Sequence, residues 1–190
     1  MTSKIILDNT SRNYLVISSN IHERYTYVLN EISMSMDISQ EKVINNPDVY
    51  YLSLPVIDKA GKIIRSVSNE ELFLRKYDLV EKIDNNRCSD EILIDQIRDL
   101  IKFTNISSHY SKKIVLINDA SALNNESSAS LLKTLEEVES NCTFILLCDN
   151  YQSLKDTIVS RCQRINLDSS SVIMEHANFE TFFFSIYPLL

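Results

Sequence analysis

The most apolar runs of the chain lie at residues 114–117 (IVLI) and 144–148 (FILLC), with an amphipathic segment between them. Runs of this kind leave no face for water, so they predict strands of a parallel sheet covered on both sides. Shorter runs at 14–18 (YLVIS), 49–54 (VYYLSL) and 164–167 (RINL) predict three further strands. Ile21, Tyr25, Val28, Leu29, Ile32 and Met36 recur at the spacing of a helix with one buried face. Leu93, Ile97, Leu100 and Ile101 mark a second helix within 92–103, with Asp95, Arg98 and Asp99 facing outward. Leu132, Leu135 and Val138 form the expected inner stripe of a third, and a short helical piece follows around 154–159.

The remaining stretches are less regular. Asn46-Pro47-Asp48 is turn chemistry. Residues 57–90 read as charged and irregular, with one β-like run at 62–67 and a surface loop at 84–86. A short apolar patch at 5–7 suggests an extra edge strand, and 172–187 reads as a helical tail. Within that tail Phe182, Phe183 and Phe184 form an apolar cluster that packs on the domain or marks a contact surface. With right-handed crossovers, five strands and the helices between them make a three-layer α/β domain. The expected division is an α/β domain over 1–168 and a helical tail over 169–190.

Composition narrows the function. With 190 residues, 44% hydrophobic and 24% charged, the chain is an ordinary globular one with room for one real core. Its net charge of −7 argues against broad nucleic-acid binding, which needs a cationic surface to displace counterions. No apolar run approaches a bilayer span and no leader pattern opens the sequence, so the expected location is cytoplasmic, without membrane contact. Cys88, Cys142, Cys148 and Cys162 are scattered without zinc-ligand spacing, so no metal is expected.

The glycine count is the sharpest exclusion. The chain has one, Gly61. A phosphate-cradling loop needs several, because its backbone amides converge through conformations that residues with a Cβ avoid. Neither a Walker A loop nor a GxGxxG turn can be written here. No nucleotide or other cofactor is expected. Arg24 stands nearest the position of a P-loop lysine, but a lone cation is a poor phosphate site, and it reads as a solvated helix residue. His22, Glu23, His109 and His176 show no triad or metal spacing and read as surface. Asp119 reads as a group that hydrogen-bonds locally at the end of its strand, and Lys133, Glu136 and Glu137 as a solvated helix face.

Four pieces of sequence resemble the clamp-loader branch of the AAA+ proteins, and within it the delta-prime type of bacterial DNA polymerase III. Residues 94–100 (IDQIRDL) are similar to a helix of that family, and 114–120 (IVLINDA) to its Walker-B-like strand. Residues 131–137 match its LLKTLEE segment, and 157–163 (TIVSRCQ) its SRC segment. Asn46-Pro47-Asp48 is similar to the family's HPD. The likeness runs from about residue 14 to 168 in the family's order. It departs where residues 19–25 replace the glycine-rich loop, where Asn118 replaces the first Walker B acid, and where the zinc-module cysteines are missing between 36 and 46. Val138 and Ala129 stand where proline and asparagine are common. The family's sensor-2 arginine and collar domain are expected to be absent.

The resemblance implies an AAA+ fold (P-loop NTPase-like) with a five-stranded parallel sheet of order 5-1-4-3-2 and a degraded P-loop. It implies a subunit that is no enzyme on its own, working beside gamma/tau-type and delta-type subunits, with the sliding clamp and primed DNA reached through the complex. Arg161 would then be an arginine finger acting in trans on a neighbour's ATP site, with Ser160 and Cys162 of the same motif positioning the loop and filling the core. Read from its own sequence, Arg161 is as simply a surface arginine closing a helix before a strand. Two other readings stay open: a decayed AAA+ domain that only binds a partner, and a nucleotide-binding ATPase with an unusual loop.

Overall fold

The computed structural model describes residues 12–64, 87–108, 112–137 and 141–167. Expectations for the edge strand at 5–7, the 84–86 loop, His109, Val138, His176 and the tail with Phe182–Phe184 lie outside those residues. In chain order the elements are β1 (Asn13–Ile17), α1 (Ile21–Met36), β2 (Val49–Leu52), β3 (Val56–Ile57) and β4 (Arg87–Cys88). They continue with α2 (Ile94–Thr104), β5 (Lys113–Ile117), α3 (Asn125–Glu137), β6 (Cys142–Cys148), α4 (Asp156–Val159) and β7 (Gln163–Asn166).

The main sheet has five strands in the order β2-β5-β6-β1-β7. Every neighbouring pair in it is parallel. Numbering these five strands alone along the chain, the order is 5-1-4-3-2, as expected. Every residue of β5 and β6 is buried, which is why these runs carry no polar alternation. Alternate residues serve two cores. Tyr14, Val16, Ile114, Leu116, Ile145 and Leu147 face α1, which contributes Tyr25, Val28, Leu29 and Ile32. Leu15, Val115, Ile117, Phe144 and Leu146 face the opposite layer, where Ile97 and Leu100 of α2, Leu131 and Leu135 of α3, and Ile158 of α4 cover them. Each such side chain removed from water contributes roughly 1.5–3 kcal/mol. Leu132, expected on the inner stripe of α3, is only partly buried. The 100° step per residue instead puts Leu131 innermost, beside Ser127, Ser128, Thr134 and Leu135.

The helices begin and end on polar residues that fit a glycine-poor chain. Asn20 and Asn124 cap α1 and α3, their side-chain oxygens accepting the Glu23 and Ser127 amides at 3.2 and 2.9 Å. At the start of α2, Gln96 accepts from the Leu93 amide at 3.1 Å and donates to the Ser53 carbonyl at 2.9 Å, tying the helix to the end of β2. Helix α1 stops at Asp37, which takes the left-handed conformation (φ 53) usually given to glycine. Gly61 (φ 80) makes a tight turn after β3, closed by the Asp58 side chain on the amides of Ala60 and Lys62. At the two described ends of the 57–90 region, β3 and β4 pair antiparallel as a small second sheet. Ile63 bridges to Ile57 beside it.

Lys113, at the start of β5, is 1% exposed. Its ammonium group donates to the carbonyls of Phe103 (2.6 Å), Thr104 (3.3 Å) and Ile106, and lies 4.9 Å from the centre of the Phe103 ring. A cation at the carbonyl end of a helix satisfies orphan acceptors and opposes the helix dipole. It fastens the end of α2 to the first residue of a central strand. Replacing it in Lys113→Met keeps the apolar stem and strips three part-buried carbonyls of their donor. We expect a loss of about 2–4 kcal/mol, read as a lowered urea midpoint at unchanged m-value.

Candidate functional site

Parallel α/β sheets place their ligand sites beyond the carboxyl ends of the strands. Here that edge begins with the turn from β1 into α1. None of Ser18, Ser19 and Asn20 is left-handed, the only positive-φ positions among the described residues being Asp37 and Gly61. A nest of converging amides alternates right- and left-handed residues, so this turn has no anion cradle. Side chains fill it instead. The Ser18 hydroxyl donates to Glu23 Oε2 at 2.6 Å and accepts from the Asn20 amide at 3.1 Å. The Arg24 guanidinium donates to the Ser18 carbonyl. Ser18, Glu23 and Arg24 are all buried.

This corrects two expectations. Glu23 is not a surface residue and Arg24 is not a solvated one: α1 starts so soon after β1 that its first turn lies under the strand end. The signal was present in Asn20-x-x-Glu23, the spacing of a capping box, which turns the acid back toward the helix start. A buried carboxylate now occupies the helix terminus that would otherwise attract phosphate. The His22 side chain lies outside the described residues.

The second part of the edge is the end of β5. Asn118, 2% exposed, donates from its amide to the Tyr51 hydroxyl at 2.9 Å. Tyr51 packs edge-on against Tyr25 of α1, ring centres 6.4 Å apart. Asp119 accepts from the Ser53 hydroxyl at 2.9 Å and the Leu54 amide at 3.4 Å. Its partners thus belong to the chain leaving β2, one strand over. A neutral amide and an acid already engaged are a weak donor set for Mg²⁺, which prefers carboxylates in octahedral array. Among the described residues no three or more His, Cys, Asp or Glu side chains group as metal ligands. Neither Tyr51 nor Ser53 stands out in sequence, because both sit inside an ordinary strand pattern.

The third part lies at the other end of the sheet, in the turn from α4 into β7. Ser160 donates back to the Thr157 carbonyl at 3.1 Å. Arg161 donates to the same carbonyl at 2.9 Å, and its other terminal nitrogen pairs with Glu136 of α3. Its backbone carbonyl accepts from the Asn13 amide at 3.3 Å, and that amide also reaches the Leu135 carbonyl at 3.3 Å. The side chains of Arg161 and Glu136 are 36% and 44% exposed. Cys162 packs half-buried against the core shared by α3 and α4. Lys133, Glu136 and Glu137 are exposed, as expected for a solvated helix face. Thus Ser160, Arg161 and Cys162 cluster with α3, while Arg24 and Glu23 gather at Ser18 and Asp119 bonds to the chain leaving β2.

Comparison with known proteins fits this geometry. The fold is that of an AAA+-type α/β domain. It superposes on the crystal structure of a DNA polymerase III gamma subunit-related protein from Thermotoga maritima with a TM-score of 0.59 at 17% identity, covering 96% of this chain and 52% of that one. The sequence profile described as "DNA polymerase III, delta subunit" matches residues 30–171. The chain belongs to that family, as a delta-prime-like member of the clamp-loader group. It is 39% identical over 93 residues to DNA polymerase III subunit delta' of Haemophilus influenzae, spanning 47% of this chain and 27% of that protein. It is 31% identical over 124 residues to the replication factor C small subunit of Methanosarcina mazei, spanning 62% of this chain and 35% of that protein. It is 31% identical over 114 residues to DNA polymerase III subunit gamma/tau of Mycoplasma genitalium, spanning 53% and 19%. The chain therefore covers between about a fifth and a third of the length of these curated relatives. No helix among the described residues is long and apolar enough to cross a membrane.

The thiols around these groups are held protonated. Burial pushes Cys142 up to about 12, with Lys113 opposing, and Cys162 up to about 12, with Cys148 adding to the rise. Burial also pushes Cys148 up to about 11, Arg24 pulling down and Asp149 pushing up. In the unfolded chain such thiols ionise near 8.5. From about that pH upward the unfolded state sheds protons that the fold retains, so stability is complete below it and falls as pH rises toward 11–12. Urea midpoints should be flat between pH 7 and 8 and decline by pH 10, and native Cys142 should react with a thiol reagent only at the unfolding rate.

Proposed function

We propose that this chain is a non-catalytic, delta-prime-like subunit of the DNA polymerase III clamp loader, which supports ATP-dependent loading of the sliding clamp in DNA replication. Its own nucleotide cleft is inactive: Glu23, Ser18 and Arg24 fill the phosphate end, and Asn118 with Tyr51 the metal end. Its contribution is Arg161, presented to the ATP site of an adjacent gamma/tau-type subunit. A guanidinium binds phosphate oxygens bidentately and stabilises the charge that spreads over them as the phosphoryl group leaves. The observation that carries this reading is the placement of Arg161: a solvent-accessible cation on a turn whose backbone is anchored to β1. Gamma/tau-type and delta-type subunits are its direct partners, and the acidic chain meets the clamp and primed DNA through them.

The second reading, an interaction module that supports no phosphoryl transfer, is favoured by the same filled cleft and differs in what Arg161 does. Two measurements check the proposal. Titrating the purified chain with Mg·ATP should leave its thermal midpoint unchanged, since a ligand that binds the native state raises it. In the loader complex of the same organism, Arg161→Ala should depress clamp- and DNA-stimulated ATPase by a factor on the order of 10³ at the site it serves, and by less in the total rate, with assembly intact. Unchanged ATPase in an intact complex leaves the interaction module.

A further inference from the structure

Arg161 does not stand free. One terminal nitrogen donates to the Thr157 carbonyl at 2.9 Å and the other pairs with Glu136, so both donors are turned onto its own domain. The two anchors come from different elements, the carbonyl from α4 and the carboxylate from the last turn of α3. A carboxylate and a phosphate oxygen compete for the same N–H edge of a guanidinium, and holding both negative groups against it is costly. Glu136 sits on an exposed face of α3, outside either core.

We propose that Glu136 is a positioning residue that parks Arg161 in cis until a neighbouring subunit's phosphates displace it. This rests on the trans-acting reading of Arg161. With both partners more than one-third exposed, the pair is weakened by solvent and salt. Such a latch is shallow enough to open on docking and deep enough to keep the guanidinium off other anions beforehand. The occupant that opens it is a polyphosphate presented by an adjacent subunit, since a single exposed carboxylate elsewhere would gain nothing over Glu136.

The test uses the assembled loader and four versions of this chain: wild type, Glu136→Gln, Arg161→Ala, and the double variant. Glutamine keeps the shape and removes the charge. Loss of the latch raises the fraction of Arg161 engaged with the neighbour, so Glu136→Gln should raise kcat of the stimulated ATPase roughly two- to fivefold with KM for ATP unchanged. In the Arg161→Ala background the same change should do nothing, a non-additivity that a merely structural surface glutamate would not produce. Urea midpoints of the isolated variants should fall only slightly, by no more than the roughly two- to fivefold the latch itself is worth. A kcat for Glu136→Gln at or below wild type, with Arg161→Ala still impaired, overturns the latch and spares the function. An equal rise with and without Arg161 also overturns it. If Arg161→Ala itself leaves the rate intact, the trans-acting role falls and the latch falls with it.

Discussion

The structure depends on keeping two adjacent strands, β5 and β6, wholly out of water. Their twelve residues are all buried, and a parallel sheet of that kind is stable only with helices on both faces. The sheet order follows from this need. The most apolar strands sit inside, β2 and β7 close the edges, and alternate residues of each inner strand supply two separate cores. Around β5 the buried polar groups sit where the strand begins and ends. Lys113 enters at the amino end of β5 because three carbonyls await it. Asn118 and Asp119 enter at the carboxyl end because Tyr51, Ser53 and the Leu54 amide do.

That placement bears on the chemistry of the carboxyl edge. An AAA+ domain that handles nucleotide keeps polar groups there uncommitted, ready for phosphate and metal. In this chain the equivalent groups bond to one another: Ser18 to Glu23, Arg24 to the Ser18 carbonyl, Asn118 to Tyr51. Lost glycines alone would leave a poor site. Reopening this turn would strip Ser18, Glu23 and Arg24 of the bonds they make to one another.

Much of the fold was legible in the sequence for physical reasons that can be named. Continuous apolar runs mean buried strands, and 3.6-residue spacing placed α1 at its observed bounds. The five-strand order came from the LLKTLEE and SRC segments, not from periodicity. What escaped was tertiary. Nothing in composition says that Arg24 folds back under β1, that the Lys113 ammonium seeks the end of α2, or that β3 pairs with a strand thirty residues on. On α3 Leu135 is buried as expected, but Leu131 takes the place expected of Leu132, because Ser127, Ser128 and Thr134 share the buried face with the leucines and small hydroxyl residues do not register as apolar. At the candidate site, the SRC turn was found by likeness alone. Its grip on Asn13 and Glu136 needed coordinates.

Asn13 holds two carbonyls with one amide, those of Leu135 and Arg161. The first residue of a central strand is thereby stapled to the end of α3 and to the SRC turn. The main chain at Arg161 is consequently ordered when the domain folds, and any contact its side chain makes leaves only that side chain to be fixed. Ordering a loop of several residues at that moment would cost roughly 1–2 kcal/mol for each. Freezing one arginine costs about the same as a single residue. A contact made through this side chain therefore starts from a backbone that is already in place.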